Sequence, residues 1–306
     1  GSRSTAIGHG ALENQNFTTA TDTYNTAVGY VAGLSITTGI KNTFIGGLSG
    51  DATTDADFNV GVGHNTLTTN VLGSRSVAVG YTALEAQNPA TAVNMYNTAV
   101  GHAAGYAMTT GVRNTLIGGL SGDALTTGSY NQAFGYGALG TDTLGSRNTA
   151  IGQEALGTQN FTTATDSYNV GVGHAAGGAV TTGIQNTLIG GLAGDALTDA
   201  DYNVAIGYLA LSGDTLGSRS IAIGYGSLAT QNFTTATNGY NVAIGFAAGN
   251  AVTTGVKNTT IGGLAGDALT DADLNTALGY FSLSADTLGS KSTAIGTGAL
   301  KVQNFT

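Results

Sequence analysis

Acidic segments that recur along the chain carry the residues best suited to bind a metal ion. One of them, GDATTDAD from Gly50, places three aspartates within seven residues. Ca²⁺ takes several oxygen ligands, often from carboxylates, so the pattern predicts a candidate calcium site, with a solvated acidic turn as the alternative. A related segment keeps Asp123 but has Thr127 and Ser129 at the other two places. The candidate ligands are Asp51, Asp55, Asp57, Asp195, Asp199, Asp201, Asp267, Asp271 and Asp273.

Basic residues also occupy fixed places in the sequence. Each of them except Lys301 belongs to one of two series. The first series is Arg3, Arg75, Arg147, Arg219 and Lys291, and the second is Lys41, Arg113 and Lys257, with Gln185 at the missing place. We expect either ion pairs between these residues and the acidic segments or exposed charges that contribute little to stability.

Histidine and asparagine are two further residue types that suggest chemistry. Each histidine follows a glycine, at a place that elsewhere often holds tyrosine or phenylalanine, which favours stacking over metal binding or catalysis. The histidines are His9, His64, His102 and His174. Asn-x-Thr sequences, which accept N-linked glycans, recur at Asn16, Asn160, Asn232 and Asn304, and another occurs at Asn258. We assign no catalytic residue, and calcium is the one candidate cofactor.

All of these residues recur because a 72-residue sequence is repeated four times and then followed by 18 more residues. The units span 1–72, 73–144, 145–216 and 217–288, with a partial unit at 289–306. Self-similarity at a fixed period is typical of solenoids and fibres. An enzyme brings unlike groups together at one place, whereas a strict repeat puts the same groups everywhere, so we expect no enzyme. The sequence predicts one continuous array, taken from a longer one.

A five-residue phrase recurs within each unit in steps of 21, 17, 17 and 17 residues, which gives 17 copies in all. Its first position is Asn or Ser, its fourth is nearly always Ile or Val, and its fifth is Gly. Alternating faces and β-branched residues favour an extended strand over residues 25–30. The period predicts an all-β fold, a parallel β-solenoid or β-roll fibre, with coils of 17 and 21 residues that each carry two short strands.

Stacked coils would place equivalent residues in vertical columns. We expect the fourth-position residues to form an Ile/Val column in the interior, and the asparagines to hydrogen-bond from coil to coil. The fifth-position glycines indicate close backbone approach. Small Ala and Gly side chains on the other strand face favour a trimer packed through that face over a single-chain solenoid. The predicted columns include Asn25, Asn42, Asn59, Ile7, Val28, Ile45, Val62, Gly8, Gly29, Gly46 and Gly63.

The composition narrows the choice of partners. A net charge of −9 argues against nucleic acid binding, and no apolar run approaches the ~20 residues of a membrane helix. The 50 glycines lack the strict third-residue spacing of collagen. We therefore expect other copies of the chain as partners, in a homotrimer or a longer filament, and a cell-surface or glycan ligand as a further candidate.

The phrases STAIGHGA at 4–11, NTAVGYVA at 25–32 and NTAIGQEA at 148–155 resemble the head repeat of YadA-like trimeric autotransporter adhesins. That motif reads Asn-Ser-x-Ala-Ile-Gly-x-x-Ser/Ala, and repeats of phage tail fibres are similar. The resemblance covers all 306 residues. It implies a left-handed parallel β-roll that is trimeric and exposed on a cell or virion surface.

These expectations favour an extracellular structural fibre or filament shaft, because the loops repeat almost unchanged and a binding tip would need unlike loops. The alternative is an adhesin head or phage receptor-binding fibre that binds a surface ligand. Ice binding through flat rows of threonine is a third hypothesis.

Overall fold

A computed structural model describes residues 1–305, and this part of the chain is all-β. It falls into two compact units, which are distinct from the 72-residue units of the sequence and are called the first and second unit from here on. The first is formed by residues 1–148 and 160–166 and the second by residues 149–159 and 167–305. Residues 1–305 contain no helix, and hence none long and apolar enough to cross a membrane. Each unit is a parallel β-solenoid, and a coil here means the stretch from one first-position residue to the next.

Each coil contributes one three-residue strand, formed by the second to fourth positions of the phrase. In chain order the strands are β1 (Thr5–Ile7), β2 (Thr26–Val28), β3 (Thr43–Ile45), β4 (Val60–Val62), β5 (Gly73–Ser74), β6 (Val77–Val79), β7 (Val93–Asn94), β8 (Thr98–Val100), β9 (Thr115–Ile117), β10 (Gln132–Phe134), β11 (Gly145–Ser146), β12 (Thr149–Ile151), β13 (Thr165–Asp166), β14 (Val170–Val172), β15 (Thr187–Ile189), β16 (Val204–Ile206), β17 (Gly217–Ser218), β18 (Ile221–Ile223), β19 (Thr237–Asn238), β20 (Val242–Ile244), β21 (Thr259–Ile261), β22 (Thr276–Leu278) and β23 (Thr293–Ile295).

The strands stack in parallel and in register, as predicted. In the first unit the order is β1-β2-β3-β4-β6-β8-β9-β10. In the second unit it is β12-β14-β15-β16-β18-β20-β21-β22-β23. Ile7 pairs with Val28, Val28 with Ile45, and Ile45 with Val62, which confirms the vertical column of fourth-position residues.

That column faces outward, however, so its predicted place in the interior is wrong. The third-position residues, such as Ala27 and Phe44, are buried, whereas Ile45 is 39% exposed. Successive residues of a strand point to opposite sides, so burying the first and third positions turns the second and fourth outward. The Ala/Gly face is consequently buried inside each coil, where it is closed to other chains.

The second strand predicted for every coil is likewise wrong for most coils. Within residues 1–305, two-residue strands occur only beside the 21-residue coils, as the pairs β5–β7, β11–β13 and β17–β19. Turns and bends complete the other coils. The predicted strand over residues 25–30 shortens to three residues because Gly29, with φ of 139°, bends the chain away.

The first-position asparagines form the predicted column, and they are buried. The Asn25 Oδ1 accepts a hydrogen bond from the backbone N–H of Asn42 at 2.9 Å, and the Asn42 Oδ1 accepts one from Asn59 at 2.9 Å. The Asn25 Nδ2 donates to the Gly39 carbonyl at 2.8 Å, on the far wall of its own coil. One side chain therefore holds two coils in register and ties one coil together, at a net gain of about 1 kcal/mol per hydrogen bond.

In the 21-residue coils, a glutamine accepts a hydrogen bond from the side chain of the first-position asparagine in the next coil. In the coil that starts at Ser76, the Gln87 Oε1 accepts from the Ser76 hydroxyl at 3.1 Å and from the Asn97 Nδ2 at 3.0 Å. Gln87 is fully buried. Gln159 accepts from the Asn169 Nδ2 at 2.8 Å in the same way, although its coil begins with Asn, so this glutamine is a feature of the 21-residue coil and not a replacement for asparagine.

Large and small residues alternate inside the coils so that the interior is filled. The Phe44 ring lies against Gly50, where an added Cβ would come within 2.4 Å of the ring. In the next coil the third position is Gly61, which lies beside the same Phe44 ring, and the residue six places later is the buried Leu67. This exchange between the third position and the residue six places later spreads core volume over successive coils.

The fifth-position glycines are required by both conformation and space. Gly190 has φ of 132°, a conformation that side-chain-bearing residues rarely adopt. A Cβ on Gly190 would lie 2.6 Å from the backbone of Gly207 in the adjacent coil. The neighbour is backbone in a stacked coil and cannot move aside.

We predict that Gly190→Val lowers the free energy of unfolding by roughly 3 kcal/mol or more, because strain and clash add. The control is Thr181→Val, which introduces the same residue at an exposed bend and should stay within about 0.5 kcal/mol. Chemical denaturation of both variants measures the difference. Equal stabilities would contradict this account of the glycine column.

Candidate interaction surface

The residue directly before each first position lies at a corner of the coil and projects its side chain outward. These residues have φ between 49° and 65°. In the 17-residue coils their backbone N–H groups bond to the preceding coil, as when the Arg75 N–H donates to the Asp57 carbonyl at 3.0 Å. We call this column the cation–aromatic ladder. Its members are Arg3, Tyr24, Lys41, Phe58, Arg75, Tyr96, Arg113, Tyr130 and Arg147 in the first unit, and Tyr168, Gln185, Tyr202, Arg219, Tyr240, Lys257, Leu274 and Lys291 in the second.

Cations and aromatic rings alternate along this ladder and contact each other. The Arg75 guanidinium lies 4.7 Å from the centre of the Phe58 ring and 5.9 Å from that of Tyr96. The Lys41 ammonium lies 5.0 Å from the same Phe58 ring, and Arg113 lies 5.3 Å from the Tyr130 ring. Such contacts are worth about 0.5–1 kcal/mol each at exposed sites. The two predicted basic series are therefore one column.

The arginines that open each 72-residue unit are also held by a residue in the following 21-residue coil. Arg3 forms an ion pair with Asp22 at 3.4 Å, and Arg147 with Asp166 at 3.0 Å. At the corresponding places Arg75 donates to Asn94 at 3.0 Å and Arg219 to Asn238 at 3.1 Å. The expected ion pairs with the acidic segments are thus wrong, because the ladder brings the arginines beside a different loop.

A second exposed column, the ring ladder, consists of the residues directly after the fifth-position glycines. His64, Tyr81 and His102 stack at centroid distances of 5.8 and 5.5 Å, and His9 stacks on Tyr30 at 5.6 Å. In the second unit Tyr225 stacks on Phe246 at 5.4 Å. Glycine interrupts the column once in each 72-residue repeat, at Gly47, Gly119, Gly191 and Gly263. The stacking role predicted for these histidines is confirmed for His9, His64 and His102.

The acidic segments do not assemble a metal centre. Within residues 1–305, no group of three or more His, Asp or Glu side chains could hold a metal ion. The Asp57 Oδ1 accepts from the backbone N–H of Ile40 at 2.7 Å, and Asp201 and Asp273 accept from Ile184 and Val256 at 2.8 Å. Asp55 and Asp199 accept from Thr38 and Thr182 and Asp271 from Thr254, all one coil away. These carboxylates are cross-coil hydrogen-bond acceptors.

The serine in the divergent acidic segment supports this assignment. The Ser129 hydroxyl accepts from the backbone N–H of Val112 at 3.1 Å, which is the role of Asp57 in the first repeat. A hydroxyl can replace a carboxylate as an acceptor for one N–H group, whereas calcium favours carboxylate ligands.

Several aspartates are partly or fully removed from water, and burial raises their pKa. The pKa is raised at Asp51, Asp123, Asp195, Asp267 and Asp214. Asp214 is fully buried and accepts from the N–H groups of Gly217 and Phe233 at 3.0 and 3.1 Å, which partly opposes the effect of burial. The hydroxyls of Thr253 and Thr254 lower the pKa of Asp271 instead.

The asparagines of the Asn-x-Thr sequences differ in access to solvent. Asn16, Asn160, Asn232 and Asn304 are exposed, although the Thr306 that completes the last sequence lies outside the described residues. Asn258 is buried in the asparagine column, so a folded coil would not present it to a glycosyltransferase. N-glycosylation at the four exposed residues remains a prediction.

Sequence reasoning missed the aromatic half of the cation–aromatic ladder. Tyr24, Phe58, Tyr96 and Tyr130 precede a first-position Asn just as the basic residues do. The signal was present in the sequence, because numbering every coil from its first position places both residue types in one column. No protein-family model, curated protein or solved structure matches this chain.

We predict that thermal stability rises as the pH falls from neutral toward 3.8, the unfolded pKa of an aspartate. A carboxyl whose folded pKa is raised stabilises the fold fully below its unfolded pKa of 3.8, and this contribution is lost as the pH rises through the folded pKa. Asp214→Asn should reduce the rise in melting temperature. The control is Asp271→Asn, which removes the same charge. Because the pKa of Asp271 is lowered, its contribution is constant well above pH 3.8 and is lost only at lower pH, so this variant should leave the rise unchanged. Equal effects of the two variants would contradict this assignment.

Proposed function

We propose that the chain is the shaft of an extracellular structural fibre, in which three copies pack through the outer faces of their strand stacks. One observation carries the proposal: the second and fourth positions of all 17 phrases hold no charged residue. The nine basic and 18 acidic residues of the chain lie elsewhere. A flat, uncharged column of Thr, Val and Ile is unusual for a surface that meets only water.

The strand geometry suits this surface to self-association. Parallel, in-register strands place β-branched side chains at one spacing, so a second copy presents a matching row. Ile117 and Ile189 are still 38% and 36% exposed in the single chain, although strands stack on either side of each. Burying this remaining apolar area would gain about 25 cal/mol per Å². The resemblance to trimeric adhesin heads favours three chains. In this proposal the chains contact each other through the outward-facing second and fourth positions, because the Ala/Gly face is buried.

The near identity of the coils favours a shaft over an enzyme or a tip. The coils that begin with Asn repeat the same hydrogen bonds along the asparagine column, and within residues 1–305 no group of three or more acidic or histidine residues converges on one place. A binding fibre is the second candidate function, and the cation–aromatic ladder is the specific observation in its favour.

We predict that the purified chain sediments as a trimer of its 30.3 kDa protomer. The triple variant Ile45→Thr, Ile117→Thr and Ile189→Thr should shift the equilibrium strongly toward monomer, because it removes apolar contact while keeping β-branched residues in the strands. Sedimentation equilibrium measures both.

The matched control replaces three exposed apolar residues outside the strand face, Val93→Thr, Leu288→Thr and Val302→Thr. This variant should remain trimeric. A wild-type chain that sediments as a folded monomer at all concentrations would overturn the trimeric shaft.

A further inference from the structure

Three neighbouring cations in the first unit are exposed and have no acidic partner. They are Lys41, Arg75 and Arg113 of the cation–aromatic ladder. In the part of the chain that the structure describes, Arg3 and Arg147 form ion pairs but these three residues do not. Asp57 lies beside Phe58 in the sequence, and its Oδ1 is engaged by the Ile40 N–H. This strip therefore presents three cations that no ion pair within residues 1–305 neutralises, on a chain whose net charge is −9.

The strip is preorganised to bind an anion. The Arg75 guanidinium lies between the Phe58 and Tyr96 rings, and its Nε donates to Asn94 at 3.0 Å. These contacts fix the plane of the guanidinium and leave its two terminal amino groups for a ligand. A planar fork of this kind recognises carboxylates with two parallel hydrogen bonds. Rigid groups lose less conformational entropy on binding.

The spacing of the ladder defines the class of ligand. Adjacent coils are ~4.8 Å apart, so successive cations lie ~9.6 Å apart with one aromatic ring between them. Phe58 and Tyr96 are 37% and 47% exposed. Cations cover both faces of the Phe58 ring and one face of Tyr96, so the outward edges of these rings are what can contact the apolar C–H groups of a sugar. A sugar ring with its linkage is about as long as one coil spacing. We propose that the strip from Lys41 to Tyr130 binds an extended acidic polysaccharide in which a uronic acid alternates with a neutral sugar.

In this arrangement each carboxylate meets a cation and each neutral sugar meets a ring. Nucleic acid fits less well, because a strand of duplex DNA carries one charge per 3.4 Å and the remainder of the chain repels it. The second unit offers a poorer site, since Gln185 replaces a cation and Leu274 replaces a ring at equivalent corners. These two residues adopt the same backbone conformation, with φ of 57° and 62°, so both substitutions are compatible with the fold.

The test uses the full chain and hyaluronan oligosaccharides long enough to span the strip, with binding measured by isothermal titration calorimetry. Dextran oligosaccharides test for charge-independent sugar binding, and oligo-thymidylate tests for a general polyanion site. The variant Arg75→Gln with Arg113→Gln copies the natural Gln185 and should weaken hyaluronan binding roughly tenfold or more, because two charge-assisted contacts are lost. The matched control, Lys291→Gln with Lys301→Gln, removes the same charge from the second unit and should bind as the wild type does.

Hyaluronan binding that is lost in the first variant and kept in the control supports the proposal. It is overturned by the absence of hyaluronan binding, by equal binding of dextran, by tighter binding of oligo-thymidylate, or by equal losses in the two variants. Circular dichroism melting verifies that both variants fold. Sedimentation of the same samples reports on trimer formation separately, so that failure of the shaft proposal and failure of the ligand proposal are distinguishable.

Discussion

The structure depends on the buried side-chain amide of the first-position asparagine. Its hydrogen bonds join two parts of one coil and also reach the next coil. The Asn42 side chain accepts from the Asn59 N–H at 2.9 Å and donates to the Ala56 carbonyl at 2.8 Å. Removing the side chain would leave both backbone groups unpaired inside the coil, at a cost of about 1–3 kcal/mol each. The amide must point inward, so the first position decides which alternate residues of the strand face the interior. The Ile and Val residues at the fourth position therefore face outward.

Sequence reasoning predicted the architecture, but it failed to predict which face of the strand is buried. The unbroken phrase spacing was sufficient to predict parallel stacked coils, and the register from Ile7 to Val62 confirms it. The pattern of Asn, Ala and Ile does not by itself say which face is inside, and hydrophobicity suggested Ile. Leaving the backbone partners of the asparagine unpaired costs more than leaving one aliphatic side chain half exposed, which costs about 1 kcal/mol in transfer free energy.

At the candidate site too, residue spacing predicts which residues share a column but does not predict their side-chain contacts. Position numbers grouped the basic residues into two series that the structure merges into one column, and they did not show that the guanidinium of Arg75 would lie over Phe58. That contact depends on a left-handed backbone conformation at residues that are not glycine. Residue type alone does not predict this conformation. The acidic segments misled for the opposite reason, because two of the three aspartates in a segment, Asp55 and Asp57, accept hydrogen bonds from separate donors in the adjacent coil.

The alternation of the cation–aromatic ladder is a property of the surface, since the fold does not require it. Arg, Lys, Tyr, Phe, Leu and Gln all occupy the corner with nearly the same φ, and their side chains leave the core filled as before. A column of cations in every coil would place like charges ~4.8 Å apart, where repulsion at the dielectric of water is about 0.9 kcal/mol per pair. Placing a ring between them halves this repulsion and adds a cation–π contact on each side. The arrangement therefore keeps positive charge on the surface of an acidic chain at little cost in stability, and it leaves those charges facing outward at a regular spacing.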